Sequence, residues 1–125
     1  MSVRRLTLAA LSALAGLLAA SAACAADPGP ALVQKGSDLF RDNCGVCHLD
    51  VIGPPLDGVA GRPVAGLKSW SYSAALKAHG GTWTDANLDA LLADSQAFAP
   101  GTSMGVKITD PADRAALVAY LKSLK

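Results

Sequence analysis

The sequence predicts an all-α domain with three main helices, short helical turns and long loops. Three observations support this. Apolar residues recur at three- and four-residue steps in three segments, each opened by a helix-start signal. No segment alternates apolar and polar residues over the length of a strand. Gly and Pro crowd the intervals between the periodic segments, where they punctuate loops. The chain has 125 residues, 51% of them hydrophobic, but its first 25 positions inflate that figure. Arg4 and Arg5 are the only charges before Asp27, which leaves nine basic residues against ten acidic ones, a formal balance of −1. Such a balance excludes the basic footprint of a nucleic-acid binder. Beyond the first segment about 100 residues remain, enough for one small domain. Their only aromatics are Phe40, Trp70, Tyr72, Trp83, Phe98 and Tyr120, so a group other than side chains is expected to fill part of the core.

Met1 to Arg5 carries two positive charges, Leu6 to Ala20 is an uncharged Leu/Ala run, and Ala23-Cys24-Ala25 supplies small residues for a signal peptidase. Residues 1–25 are therefore expected to be a cleaved secretion signal, leaving 26–125 as one domain. The alternative is an uncleaved anchor, because Leu6 to Ala26 is just long enough to span a bilayer. The last third of that run is small residues, which favours cleavage. Asp27-Pro28-Gly29-Pro30 is a tether, with Pro30 suited to the first helical position. A helix is expected from there to about Asn43, with Leu32, Gly36, Leu39, Phe40 and Asn43 on one face and Gly36 flat enough to admit another helix. Gly53 to Gly66 is dense in Gly and Pro and is expected to be an irregular loop. Ser73 to His79 suits two short turns ended by Gly80-Gly81. Thr84 is an N-cap for a helix bearing Leu88, Leu91 and Leu92. Asp110-Pro111 opens the last helix, with Leu117, Tyr120, Leu121 and Leu124 as its stripe.

After the signal only two cysteines remain, in Cys44-Gly45-Val46-Cys47-His48. This is the haem-attachment spacing. Two thiols one helical turn apart can add to the two vinyl groups of a haem while the adjacent imidazole meets the iron. Three other uses fit less well. A thioredoxin-like motif needs a βαβ context, a disulfide here would close too short a loop to stabilise much, and zinc needs two further ligands where only His79 is spare. One covalent haem c would also supply the missing apolar mass. For the sixth position on the iron, the segment after residue 26 offers two candidates, Met104 in a Pro/Gly loop and His79.

These residues resemble the class I c-type cytochromes, the family that includes mitochondrial cytochrome c and bacterial cytochrome c2, over nearly all of 26–125. Gly36 and Phe40 stand before Cys44 at the family's first-helix intervals, and Leu117, Tyr120 and Leu121 match its last helix. Gly53-Pro54 with Leu56, and Pro100-Gly101-Thr102-Ser103-Met104, match its two ligand-side loops. The resemblance implies the cytochrome c fold, in which the first and last helices cross at Gly36. It also implies Cys44 and Cys47 as covalent haem attachments, His48 and Met104 as axial iron ligands, and Pro54 accepting the His48 N–H. Arg62, Tyr72 and Trp83 look like haem-propionate partners, and Thr102 belongs to the distal loop. Three departures stand out. Only Leu49 to Ile52 separate His48 from Gly53, Leu91 stands where the family usually has a tyrosine near the methionine sulfur, and Leu76 replaces a polar residue.

The implied function is that of a monohaem one-electron carrier, not an enzyme in its own right. It would be exported to the periplasm by the general secretion route and remain a monomer when free, with no stable membrane insertion and no nucleic acid. Its partners would be redox proteins such as a cytochrome bc1-type complex, an oxidase or a periplasmic dehydrogenase. The alternative is a dedicated cytochrome subunit of such a dehydrogenase. A haem enzyme or gas sensor would need an open sixth position on the iron, which Met104 in so closely matched a loop argues against.

Overall fold

The structure, a computed structural model, describes residues 27–125; the expected secretion signal lies outside the described residues. Helix α1 spans Pro30–Asn43, with Gly29 extended at its N-cap and Pro30 in its first turn. At Cys44 the backbone leaves helical geometry (φ −125°, ψ −25°), and α2, Gly45–His48, starts in a new direction. The break turns the attachment motif off the axis of α1. Helix α3, Ala74–His79, begins where the Ser73 hydroxyl accepts the Leu76 N–H at 3.2 Å. It ends at Gly80, whose φ of 65° is a conformation that side-chain-bearing residues resist.

Helix α4, Asp85–Ala93, is capped by Thr84, which accepts the Asn87 N–H at 3.2 Å. A four-residue turn, α5 (Ser95–Phe98), follows at once, with the Asp94 carboxylate accepting the N–H groups of Gln96 and Ala97. Helix α6, Pro111–Ser123, starts from Asp110, which accepts the Ala112 N–H at 2.8 Å. Among the described residues there is no strand. A single bridge, Pro63 to Thr82, lies within a short paired stretch in which Val64 N–H donates to Gly81 and Trp83 N–H to Arg62. The Gly53–Gly66 segment, expected to be irregular throughout, is thus tied down at its end, and that tie places Arg62 beside Trp83.

Helices α1 and α6 make the principal packing contact. A Cβ at Gly36 would fall 2.0 Å from the Ala116 carbonyl oxygen and 2.7 Å from the Tyr120 Cβ, so the two backbones meet where only hydrogen fits. Phe40 stacks at a tilt on Tyr120, ring centroids 5.2 Å apart. Ion pairs Lys35–Asp113, Asp85–Lys122 and Asp89–Arg114, each 2.7 Å, join α6 to α1 on one side and α4 on the other. At this degree of exposure they fix orientation more than they stabilise.

The face of α1 is narrower than its periodicity suggested. Gly36 and Phe40 are buried, but Leu32 is 37% exposed and Asn43 is at the surface, its amide donating to the Leu39 carbonyl. A crossing centred on Gly36 leaves the ends of the stripe beyond the reach of α6. No helix of the described residues is long and apolar enough to cross a membrane.

Candidate functional site

The buried residues of α1, α4 and α6 form one apolar cluster, and many of them line a cleft. Its inner part is walled by Phe40 of α1, Leu88, Leu91 and Leu92 of α4, Leu117 and Leu121 of α6, Leu76 of α3, and Val59 and Leu56 of the loops. Its walls are mostly apolar, as those of cofactor sites are. Nine positions were expected to form a site, and eight of them line this inner cleft: Cys44, His48, Pro54, Arg62, Tyr72, Trp83, Thr102 and Met104. The ninth, Cys47, lines the wider mouth together with Cys44, His48, Tyr72 and Met104. Trp70, Ser71 and Ser73 also line the mouth, none of them expected from the sequence. They carry no motif, and only the fold of the 66–73 segment brings them there.

His48 ends α2 with its Nδ1 2.9 Å from the Pro54 carbonyl. A carbonyl can only accept, so Nδ1 carries the proton and Nε2 is left with its lone pair, the state that a metal requires. Gly53 makes this approach possible: a Cβ there would sit 3.0 Å from His48 Nδ1 and 3.1 Å from Cε1. Cys44 is buried and Cys47 half-buried, and neither forms a disulfide. Burial, and secondarily the neighbouring Cys47, push the Cys44 thiol above its ordinary pKa.

Arg62 spans the rim. Its guanidinium donates to the carbonyls of Asp57 at 3.1 Å and Pro55 at 3.2 Å, while its Nε is buried with no acceptor among the described residues. A buried donor without a partner is costly, and on the wall of a cofactor cleft it marks where an anionic substituent fits. Trp83, 7% exposed, stacks on Phe98 at a centroid distance of 5.6 Å. His79 stacks on the other partner of that pair, 3.8 Å from Phe98, and is exposed with Nδ1 near the Gly80 carbonyl. It lines neither part of the cleft. Leu91 and Leu76 line the inner wall, so no hydroxyl reaches the Met104 sulfur from either position.

The donor set therefore suits a flat apolar macrocycle with anionic edge groups: two thiols, one prepared imidazole nitrogen, one thioether and an unpaired guanidinium N–H around an apolar cleft. Comparison with known proteins agrees. A family model described as Cytochrome c matches residues 33–125. The chain is 40% identical over 96 residues to the cytochrome c-type cyt cy of Rhodobacter capsulatus, an alignment covering 73% of this chain and 48% of that protein. It therefore spans about half the length of that relative. It is 36% identical over 109 residues to cytochrome c2 of Rhodomicrobium vannielii, covering 82% of each. Among solved structures, cytochrome cH from Methylobacterium extorquens superposes with a TM-score of 0.68 at 36% identity, covering 73% of this chain and 97% of that one. Over its helical domain the chain belongs to the cytochrome c family, whose cofactor is a covalently attached haem c with its iron.

Proposed function

We propose that this chain is a monohaem electron carrier in which Cys44 and Cys47 hold the haem by thioether bonds and His48 and Met104 are the axial ligands of its iron. The observation that carries this reading is the pairing of His48 Nδ1–H with the Pro54 carbonyl in a cleft that Met104 also lines. One-electron exchange is the chemistry that haem c supplies when bound, and an axial methionine raises its potential. The protein's residues do the rest. Pro54 fixes the tautomer and ring plane of His48, and Arg62 and Tyr72 on the rim receive the propionates, with Trp83 behind them. The leucines of α4 and α6 exclude water. With both axial positions filled by side chains there is no coordination site for a substrate, so the chain acts as a carrier and not as an enzyme.

The redox partners belong to the periplasm or the membrane facing it, and include a cytochrome bc1-type complex, an oxidase or a periplasmic dehydrogenase. Residues 1–25 serve as the cleaved signal that takes the chain there. Relatives named as bacterial cytochromes c2 and cy support this setting. Met104→Ala tests the site: the weak far-red sulfur-to-iron charge-transfer band of the oxidised protein should vanish, and small ligands should gain the iron. Survival of that band in Met104→Ala, or its absence from the parent together with a spectral change in His79→Ala, would transfer the ligand role to His79.

A further inference from the structure

The loop carrying Met104 has almost no regular structure of its own. From Ala99 to Lys107 its internal backbone bonding is the turn from Thr102 N–H to Ala99, and the Met104 N–H reaches only the Thr102 hydroxyl, at 3.4 Å. What holds it is α5. The Ser95 hydroxyl donates to the Met104 carbonyl at 2.7 Å and accepts the Val106 N–H at 3.0 Å, while the Ser95 N–H donates to the Val106 carbonyl at 3.1 Å. Its neighbour Gln96 takes the other limb, donating to the Thr102 carbonyl at 2.9 Å and accepting the Gly101 N–H at 3.1 Å. Two adjacent side chains thus clasp the loop on both sides of the thioether.

They are not equivalent. Gln96 is exposed, so water can replace its bonds, whereas Ser95 is 1% exposed and no water replaces them. Nothing in the attachment or ligand motifs points to Ser95.

We infer that Ser95 is the positioning residue that keeps Met104 on the iron, by fixing the backbone on both sides of the ligand. The inference rests on Met104 being the axial ligand. An external ligand binds only the fraction of molecules in which the methionine has left, so its apparent affinity scales with that fraction. Depriving the part-buried Met104 carbonyl and Val106 N–H of the Ser95 hydroxyl should raise the open fraction about tenfold.

The test is imidazole titration of the oxidised holoprotein, followed by the far-red charge-transfer band. Ser95→Ala should bind imidazole about tenfold more tightly, Ser95→Thr, which keeps the hydroxyl, should stay within about threefold of the parent, and Gln96→Ala should fall between them. If Ser95→Ala lowers thermal stability yet leaves imidazole affinity unchanged, Ser95 is merely structural and the inference fails. If Met104→Ala leaves the parent's band intact, the ligand assignment itself fails and takes this inference with it, so the two failures are distinct. Should Ser95→Ala not fold, hydrogen exchange of the parent decides. Imidazole, by pulling Met104 from the iron, should deprotect the Val106 amide, and unchanged protection overturns the clasp.

Discussion

Gly36 has less room for change than any other glycine among the described residues. The atom that an added Cβ would strike is the Ala116 carbonyl oxygen, part of a helix backbone that cannot step aside without moving α6. Overpacking of this kind costs roughly 1–3 kcal/mol and sometimes more. Gly36→Ala should therefore destabilise the holoprotein by about 3 kcal/mol, measured as a lower denaturant midpoint, whereas Gly29→Ala, with open space around it, should be near neutral. Arg62 carries a second expectation. Its charge at the cleft favours the reduced, less positive site, so Arg62→Met should lower the midpoint potential by on the order of 50 mV in a voltammetric titration. At this scale the sequence was informative wherever chemistry fixes spacing. Two thiols three residues apart and a following imidazole admit few other uses, so Cys44, Cys47 and His48 were legible at once. The unpaired Nε of Arg62 was not, because it depends on the Asp57 and Pro55 carbonyls and on the 61–64 pairing, none of which a linear pattern records.

Among the elements, α5 is only four residues long and has the largest consequence for the distal loop. Its N-cap, Asp94, also pairs with Lys107 at 2.8 Å. The Lys107 ammonium, and then the Ala97 N–H, hold the Asp94 carboxyl below the usual carboxylate range, and Asp94 in turn raises the Lys107 pKa. The depressed Asp94 pKa gives stability that is complete above the unfolded value, about 3.9, and is lost as pH falls through the folded one. The raised Lys107 pKa gives stability that is complete below the unfolded value, about 10.4, and is lost as pH rises through the folded one. Between those limits this pair should make stability flat in pH. Acid titration should weaken the far-red band before global unfolding in the parent, and in Asp94→Asn that early acid step should disappear. A coincident loss of band and fold in the parent would detach α5 from the ligand loop. The long helices were readable from their caps, Pro30, Thr84 and Asp110-Pro111, because a cap plus two turns of periodicity fixes both type and start. A four-residue turn has no period to read, and α5 and α2 were accordingly missed as helices.

For the molecule as a whole, the leucines of α4 and α6 belong to one apolar cluster that also lines the cleft, so a bound haem c would extend the hydrophobic core. About 100 residues with six aromatics cannot easily offset their ordering entropy without it. Cys44→Ser with Cys47→Ser should give a chain without stable helices by circular dichroism, and recovery of a cooperative, helical apoprotein from that variant would refute this account of the core. Docking is the other property set at this scale. Of the six lysines, Lys35, Lys107 and Lys122 are engaged in ion pairs, and residues 26–125 carry a formal balance of −1. The segment beside Cys47 and His48 instead exposes Val46 (81%), Leu49 (67%), Val51 (85%) and Ile52 (65%). An apolar contact is weakly screened, so electron transfer to the cognate partner should change less than about threefold between low and physiological salt. A fall of tenfold or more would assign docking to a local basic patch.

The contact of α1 with α6 also sets a timetable. Roughly 70 residues separate the two helices, so closing them is a long-range step whose entropic cost precedes its reward. Synthesis delivers the glycine notch early and the helix that fills it last. Until the final turns emerge, the nascent chain has neither its main interhelical contact nor a complete wall for its cofactor, and it remains threadable. For the exported chain proposed above, which would cross a membrane unfolded and receive its prosthetic group on the far side, a fold that cannot close early is an advantage built into the order of its helices.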